Sequence, residues 1–322
     1  IDHITMNSTQ VSHFILGAYF GTKLLKYLFF SIILCLYVLI IGFNILLISV
    51  ICVNRSLHEP MYMFLCSLFF NEMFGSTALL PFLLVQLLSD VHTVSIPLCF
   101  TQIFFIHSYL GVEFFTLTAM SYDRYLAICK PLQYQQLMTA KVIAYLVLAT
   151  FIISFLGIAI STSLSFSLQL CRNFINKVYC TNYSIVKLAC SDTTVNNIYG
   201  IISTVVSTFI PVTLIIYTYN RILKVCYSGS RQTRKKALST CIPHLVSLIN
   251  YTFGVSLEIY QSRFNTDHFP RLTKIFLSLY FIVCQPIFNP VMYGLNLSEV
   301  RKIWKRLLWP SDDMCCELAL YT

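Results

Sequence analysis

The side chains best able to do chemistry stand where a long apolar run meets a basic segment. Asp123, Arg124 and Tyr125 close that run, and Lys130 and Pro131 lie just beyond. Charged groups at the edge of an apolar span are costly and are kept where they work. Arg124 is a permanent cation whose planar guanidinium can pair with Asp123 beside it. The alternative is an arginine that only snorkels toward surrounding phosphates. Two more carboxylates fall inside apolar runs, Glu113 in the same run and Glu72 in the one before it. With Asn44 and Asn289 they make an oxygen-rich set that suits a sodium ion or a proton-linked site. The alternative is a pair of protonated carboxyls that are only hydrogen-bonded. His244 has no second ligand four residues on, so no transition-metal site is expected. No nucleophile–base set or phosphate loop stands out, so an enzyme is not expected.

These groups need elements to hold them, and composition says what kind. The chain has 322 residues, of which 57% are hydrophobic and only 11% charged. Soluble domains carry about 25% charged residues. The bilayer is therefore the expected solvent. Seven apolar runs reach spanning length, at 25–52, 61–88, 98–127, 141–167, 195–223, 237–260 and 271–294. They predict an all-α membrane domain over 25–294, after a tail at 1–24 and before a cytoplasmic tail at 295–322. An amphipathic segment, 297–309, predicts a short eighth helix. The net charge of +9 is no nucleic-acid signal, because the basic residues cluster at segment ends. The 13 cysteines include no Cys-x-x-Cys pair, which argues against a zinc ribbon. The first 24 residues lack a basic start, so no cleavable leader is expected.

Charge asymmetry orients the spans. With Asp123 and Arg124 inside, the inner segments hold fourteen Lys and Arg, among them Arg231, Arg234, Lys235 and Lys236, against eight outside. The N-terminus is then outside. Among the glycosylation sequons, only Asn7 and Asn182 would face the lumen, and Asn7 is the better placed.

Five motifs lie in order along the whole chain. They are Leu57-His-Glu-Pro-Met-Tyr62, Met120-Ser-Tyr-Asp-Arg-Tyr-Leu-Ala-Ile-Cys129, Leu188-Ala-Cys-Ser-Asp-Thr193, Lys236-Ala-Leu-Ser-Thr-Cys-Ile-Pro-His-Leu245 and Pro286-Ile-Phe-Asn-Pro-Val-Met-Tyr293. Together they resemble the signatures of olfactory receptors, a branch of the rhodopsin-like G-protein-coupled receptors. Departures from the family pattern are Gly42-Phe43-Asn44, Glu72, Thr218-Tyr219, Tyr251-Thr252-Phe253 and Asn296. With Asn71-Glu72 and Met120-Ser121 they look most like olfactory receptors of fishes.

The resemblance implies roles for named residues. The Asp123–Arg124 pair would hold the inactive state. Activation would free Arg124 toward Tyr219 and Tyr293, with Tyr125, His244, Asn289 and Pro290 in the same switch. Cys99 would pair with Cys180, and Cys171 with Cys190, where sequence alone allows three connectivities. His107 lies seventeen residues before Arg124, about 25 Å away along a helix. A ligand pocket is expected at that level, with His107, Leu110, Gly111 and Phe114 on one face. Thr252, Val255, Ser256, Ile259 and Arg263 would face it from the sixth span, and Ser203, Val206 and Ser207 from the fifth. Arg263 would take a carboxylate; the alternatives are a snorkelling arginine or a pair with Glu258 or Asp267. His107 is either a ligand contact or a packed residue.

The implied function is an odorant receptor at the plasma membrane. It would bind a small, water-soluble, anionic ligand and activate a stimulatory olfactory-type G protein that raises cAMP. The alternatives are a rhodopsin-like receptor for a hormone or pheromone, or, less in keeping with the motifs, a transporter or channel. No cofactor beyond a sodium ion is expected. Retinal is not, because the seventh span has no lysine beyond Lys274 near its start. Cys315 and Cys316 could carry a palmitoyl anchor.

Overall fold

The computed structural model describes residues 12–19, 25–228, 231–264 and 269–296. Asn7, the segment 297–309 and Cys315-Cys316 lie outside the described residues. Seven long helices form an antiparallel bundle: α1 Lys26–Val53, α2 Pro60–Leu88, α3 Ile96–Cys129, α4 Ala140–Phe166, α5 Thr194–Ser228, α6 Arg231–Arg263 and α7 Arg271–Asn296. Each is at least 26 residues long, about 39 Å at an α-helical rise. That exceeds a hydrocarbon core of about 30 Å, so the ends reach the interfaces.

Six of the seven are apolar enough to cross a membrane. The other, α6, is diluted by its basic first turns and by His244, Ser247 and Asn250 within it. The bundle supplies what that helix lacks. His244 and Ser247 are wholly buried, and both are hydrogen-bonded.

Helix α4 reverses the pattern of a soluble protein. On α4 the only buried residues are Thr150, Ser154 and Ser165. Its outward face presents Leu148, Ile152, Leu156 and Ile160. Small and polar residues allow close helix contact where lipid removes the hydrophobic drive. Gly75 shows how close. A Cβ there would lie 2.4 Å from the buried ring of Tyr109, so α2 and α3 meet at that glycine. Gly75→Ala should cost about 1–3 kcal/mol through overpacking. It should lower the melting temperature of the purified protein; an unchanged value would rule out the close approach.

Three helix prolines, Pro81, Pro286 and Pro290, sit inside α2 and α7, and Pro243 sits inside α6. A helix proline frees a carbonyl, which neighbours must satisfy. Asn44 helps: its amide donates to the carbonyl of Pro286 at 3.0 Å, tying α1 to α7. A π turn at Val205–Phe209 interrupts α5 beside the outer cavity.

The end of the bundle that the charge count assigns to the outside carries a small sheet that the spans do not foretell. Strand β1, His13–Leu16, lies between β2, Thr93–Ser95, and β3, Phe174–Ile175. It runs antiparallel to β2, with Phe14 opposite Val94, and parallel to β3, with Leu16 opposite Ile175. Phe14 and Leu16 alternate inward and are fully buried. The Tyr19 hydroxyl donates to the carbonyl of Val178 at 2.7 Å. This part of the expected N-terminal tail is therefore built into the outer surface.

Two apolar clusters fill the bundle. The outer one contains Leu79, Leu80, Tyr109 and Phe281, and the inner one Phe69, Phe114, Met120 and Tyr293. Along α2, α3 and α7, the buried polar residues Glu72, Glu113 and Asn289 fall between them.

Candidate functional site

The bundle holds polar groups at three levels. The outermost is a cavity of about 320 Å³ bounded by α3, α4, α5, α6 and the segment that joins α4 to α5. That segment is a lid. The structure joins Cys99 to Cys180 and Cys171 to Cys190, with Cα separations of 5.5 and 5.7 Å. Gln102 adds a buried acceptor for the Cys180 amide at 2.9 Å. Asn182, the second sequon expected to face the lumen, has its side chain bonded to Ser161 and Ser165.

Most of the expected contact residues reach this cavity. His107, Leu110, Gly111 and Phe114 line it from α3; Ser203, Val206 and Ser207 from α5; Val255, Ile259 and Arg263 from α6. Thr252 and Ser256 do not. Ser256 is exposed, and its hydroxyl returns to the carbonyl of Thr252 at 2.7 Å. The cavity-facing stripe of α6 runs through Val255, Glu258, Ile259 and Ser262 instead. A spacing of three and four residues fits both stripes, so spacing alone could not choose between them.

Charge at the cavity comes from more than Arg263. The Arg263 guanidinium stacks over the Tyr183 ring at 4.0 Å from its centroid, and Lys187 approaches the same ring at 4.7 Å. Glu258 pairs with Lys177 of the lid, not with Arg263. Lys177 also donates to the Ser262 hydroxyl at 2.8 Å, and Lys187 donates to the Ser262 carbonyl at 2.9 Å. Two lid lysines thus fasten α6 at one turn. Asp267 lies outside the described residues. His107 bonds the carbonyl of Ile103 through Nδ1 at 2.9 Å, so its Nε2 is the nitrogen left for the cavity.

The middle level is a wholly buried network. Glu113 accepts from Asn71 at 3.0 Å through one oxygen. Its other oxygen accepts from Asn289 at 3.2 Å and Gln285 at 3.4 Å. Asn289 also donates to Glu72. Ser247 donates to the Asn289 oxygen at 2.5 Å, linking α6 to α7. Asn44, expected in this set, spends its amide on the carbonyls of Ile40 and Pro286 and bonds neither carboxylate. The proline-freed backbone of α7 captures it. Asn71, Ser247 and Gln285 are members that spacing did not reveal. Asn44 Oδ1, Asn71 Oδ1 and Glu72 Oε2 are buried acceptors with no hydrogen bond.

The innermost level is an ion pair. Arg124 donates through Nε to Asp123 at 2.9 Å and through a second nitrogen to the same oxygen. The other Asp123 oxygen accepts from the Tyr134 hydroxyl at 2.7 Å. Burial, and then the Asp123 carboxylate, push the Tyr134 phenol above its ordinary pKa. Tyr219 meets His244 instead of Arg124, at 2.6 Å. His244 Nε2 bonds the Leu117 carbonyl at 3.0 Å, so that nitrogen carries the proton and Tyr219 donates to Nδ1. Tyr125 packs against the inner cluster, Pro290 is buried in α7, and the buried Tyr293 hydroxyl makes no hydrogen bond. The side chains of Arg231, Arg234, Lys235 and Lys236 lie outside the description.

Comparison with known proteins places this geometry. The family model described as olfactory receptor matches residues 33–310. The chain is similar to olfactory receptor 2F1 of Homo sapiens, 31% identical over 98% of this chain and 99% of that protein. It is similar to olfactory receptor 5AP2 of Mus musculus, 35% identical over 94% and 95%. The olfactory receptor-like protein OLF1 of Canis lupus familiaris is 34% identical over 93% and 96%.

Proposed function

From the premise that the chain belongs to the olfactory receptor family of rhodopsin-like G-protein-coupled receptors, we propose that it is an odorant receptor for small, water-soluble anions. As a member of that family it is a multi-pass membrane receptor and not an enzyme. The finer reading sets the N-terminus outside the plasma membrane and a stimulatory olfactory-type G protein on the inner face. Its output is a rise in cAMP. The affinity to fish receptors, read from Asn71-Glu72 and Met120-Ser121, belongs to the same reading; the relatives named above are mammalian.

One observation carries the ligand class. Arg263 lies at the cavity against Tyr183 and forms no ion pair among the described residues. A guanidinium without a counter-charge can take a carboxylate through two parallel hydrogen bonds. Glycosylation at Asn7 and a sodium ion at the middle level are part of the proposal. The three unbonded acceptors there have the hard-oxygen chemistry that sodium requires.

The test is a cAMP reporter assay against panels of carboxylic acids and uncharged odorants. Arg263→Ala should raise the concentration needed for acids by about 10-fold or more, the value of one charge-assisted contact. Responses to uncharged ligands should persist. An acid response untouched by the substitution would refute the anion assignment.

A further inference from the structure

Several polar side chains at the cavity are already spent on the protein. Asn182 bonds Ser161 and Ser165, and the Tyr199 hydroxyl donates to the carbonyl of Gly157 at 2.7 Å. Ser203, Ser207 and Thr208 line the cavity from α5 and make no hydrogen bond among the described residues. A helix serine or threonine can return its hydroxyl to a carbonyl one turn back. Thr204 and Thr213 on the same helix do so, to Gly200 at 2.7 Å and Phe209 at 2.8 Å. Ser203 and Ser207 do not, and both are only half-buried, so a ligand can reach them.

Ser207 also lies in the π turn Val205–Phe209. Such turns are rare and recur at functional sites. This one brings Val206, Ser207 and Thr208, consecutive in the chain, to the cavity wall.

Gly200 fixes where the serines stand relative to Arg263. A Cβ on Gly200 would lie 3.6 Å from a guanidinium nitrogen of Arg263, so the two share one level. Gly200, Ser203 and Ser207 follow at spacings of three and four residues, which sets them on one face of α5. Thr208 continues the face of Thr204 instead. Helix α5 starts at the lid, so the serines lie deeper than Gly200. At an α-helical rise Ser203 is about 4.5 Å deeper and Ser207 about 10 Å. Two terminal hydrogen bonds take up about 5.6 Å. No spacer fits between Arg263 and Ser203. About 4–5 Å remains above Ser207, the reach of a short aliphatic chain. A hydroxyl at the end of that chain both donates and accepts, as serine does, so the pair bonds in either sense. It also brings no charge beneath Arg263.

We propose that the cavity takes a small ω-hydroxy carboxylic acid, its carboxylate on Arg263 and its distal hydroxyl on Ser207. This rests on the reading of Arg263 as the carboxylate partner and adds a second contact at depth. Sites that hydrogen-bond a ligand hydroxyl discriminate against the analogue that lacks it.

The probes are 5-hydroxypentanoate, its isomer 2-hydroxypentanoate, and pentanoate, applied to the full-length receptor in a cAMP reporter assay. The melting temperature of the purified receptor is measured beside it, so binding is read independently of coupling. The wild type should respond to 5-hydroxypentanoate at a concentration about 5-fold below that for pentanoate, as one neutral hydrogen bond predicts. The 2-hydroxy isomer, whose hydroxyl stays beside the carboxylate, should gain no such advantage. Ser207→Ala should erase the preference and keep the pentanoate response. Ser203→Ala, too shallow to meet the distal hydroxyl, should keep both. If Ser207→Ala fails to reach the surface, Ser207→Val replaces it and should also erase the preference. A wild type that responds to 5-hydroxypentanoate no better than to pentanoate or to the 2-hydroxy isomer would overturn the proposal and leave the Arg263 reading intact. So would a preference that survives the Ser207 substitution. A wild type neither activated nor stabilised by any of the three acids would overturn both.

Discussion

Arg124→Ala should abolish signalling and leave most of the protein at the cell surface. The Arg124 hydrogen bonds go only to the adjacent Asp123, so they join no two helices. Removing the guanidinium therefore breaks no hydrogen bond between helices among the described residues. Asp123 is fully buried but keeps the Tyr134 hydroxyl at 2.7 Å, which limits the damage. What is lost is a cation at the inner end of α3 that can be handed to another partner. Asp123→Asn tests the other half of the pair. It keeps an acceptor for Tyr134 and removes the charge that detains Arg124. Charge-assisted bonds are worth about 1.5–3 kcal/mol. If they favour only the resting arrangement, losing them shifts the equilibrium by roughly 10-fold or more. Ligand-independent cAMP should rise accordingly. The check is a reporter assay normalised to surface-labelled receptor. Full signalling by Arg124→Ala, or unchanged basal activity in Asp123→Asn, would remove this pair from the switch.

Sequence revealed the features that lipid imposes and few of those that side-chain contact imposes. The bilayer demands long apolar segments with internally bonded backbone, so the seven helices could be read directly. Asp123–Arg124 was legible because adjacency in sequence made the contact. Tyr134 was not: eleven residues and a loop separate it from Asp123, and no helical period relates them. Glu258 appeared only as a neighbour for Arg263. Its pairing with Lys177 joins residues 81 apart and depends on how the disulfide-held lid folds back. The strand at His13–Leu16 was hidden because four residues give too little alternation to call. Its burial comes from two partners distant in the chain. Ser256 failed for a subtler reason. A helix face is about 100° wide, so a stripe read one step off still looks regular.

The middle level yields the other large effect, and there the two carboxylates should behave differently. Both oxygens of Glu113 accept, and their donors come from α2 and α7. Glu113→Leu would strand part of the amides of Asn71, Gln285 and Asn289 in a site closed to water. Each stranded donor costs about 1–3 kcal/mol, so the loss should be on the order of 3–5 kcal/mol and should strip most receptor from the surface. Glu113→Gln should be intermediate, because its NH2 must face a donor at one of the two oxygens. Glu72→Gln should be mildest. Only one Glu72 oxygen accepts, from Asn289, and the other meets no donor. An amide can keep that acceptor and turn its NH2 toward the empty side. The same substitution addresses the proposed cation. Sodium should raise the melting temperature of the purified wild type and should do so less in Glu72→Gln, which offers one fewer anionic oxygen. The order Glu113→Leu, Glu113→Gln, Glu72→Gln is the sharp part of the prediction. It depends on which oxygens face donors and not on how many carboxylates are buried. Equal damage from Glu72→Gln and Glu113→Leu would mean that α2, α3 and α7 are joined by charge, not by the hydrogen bonds described.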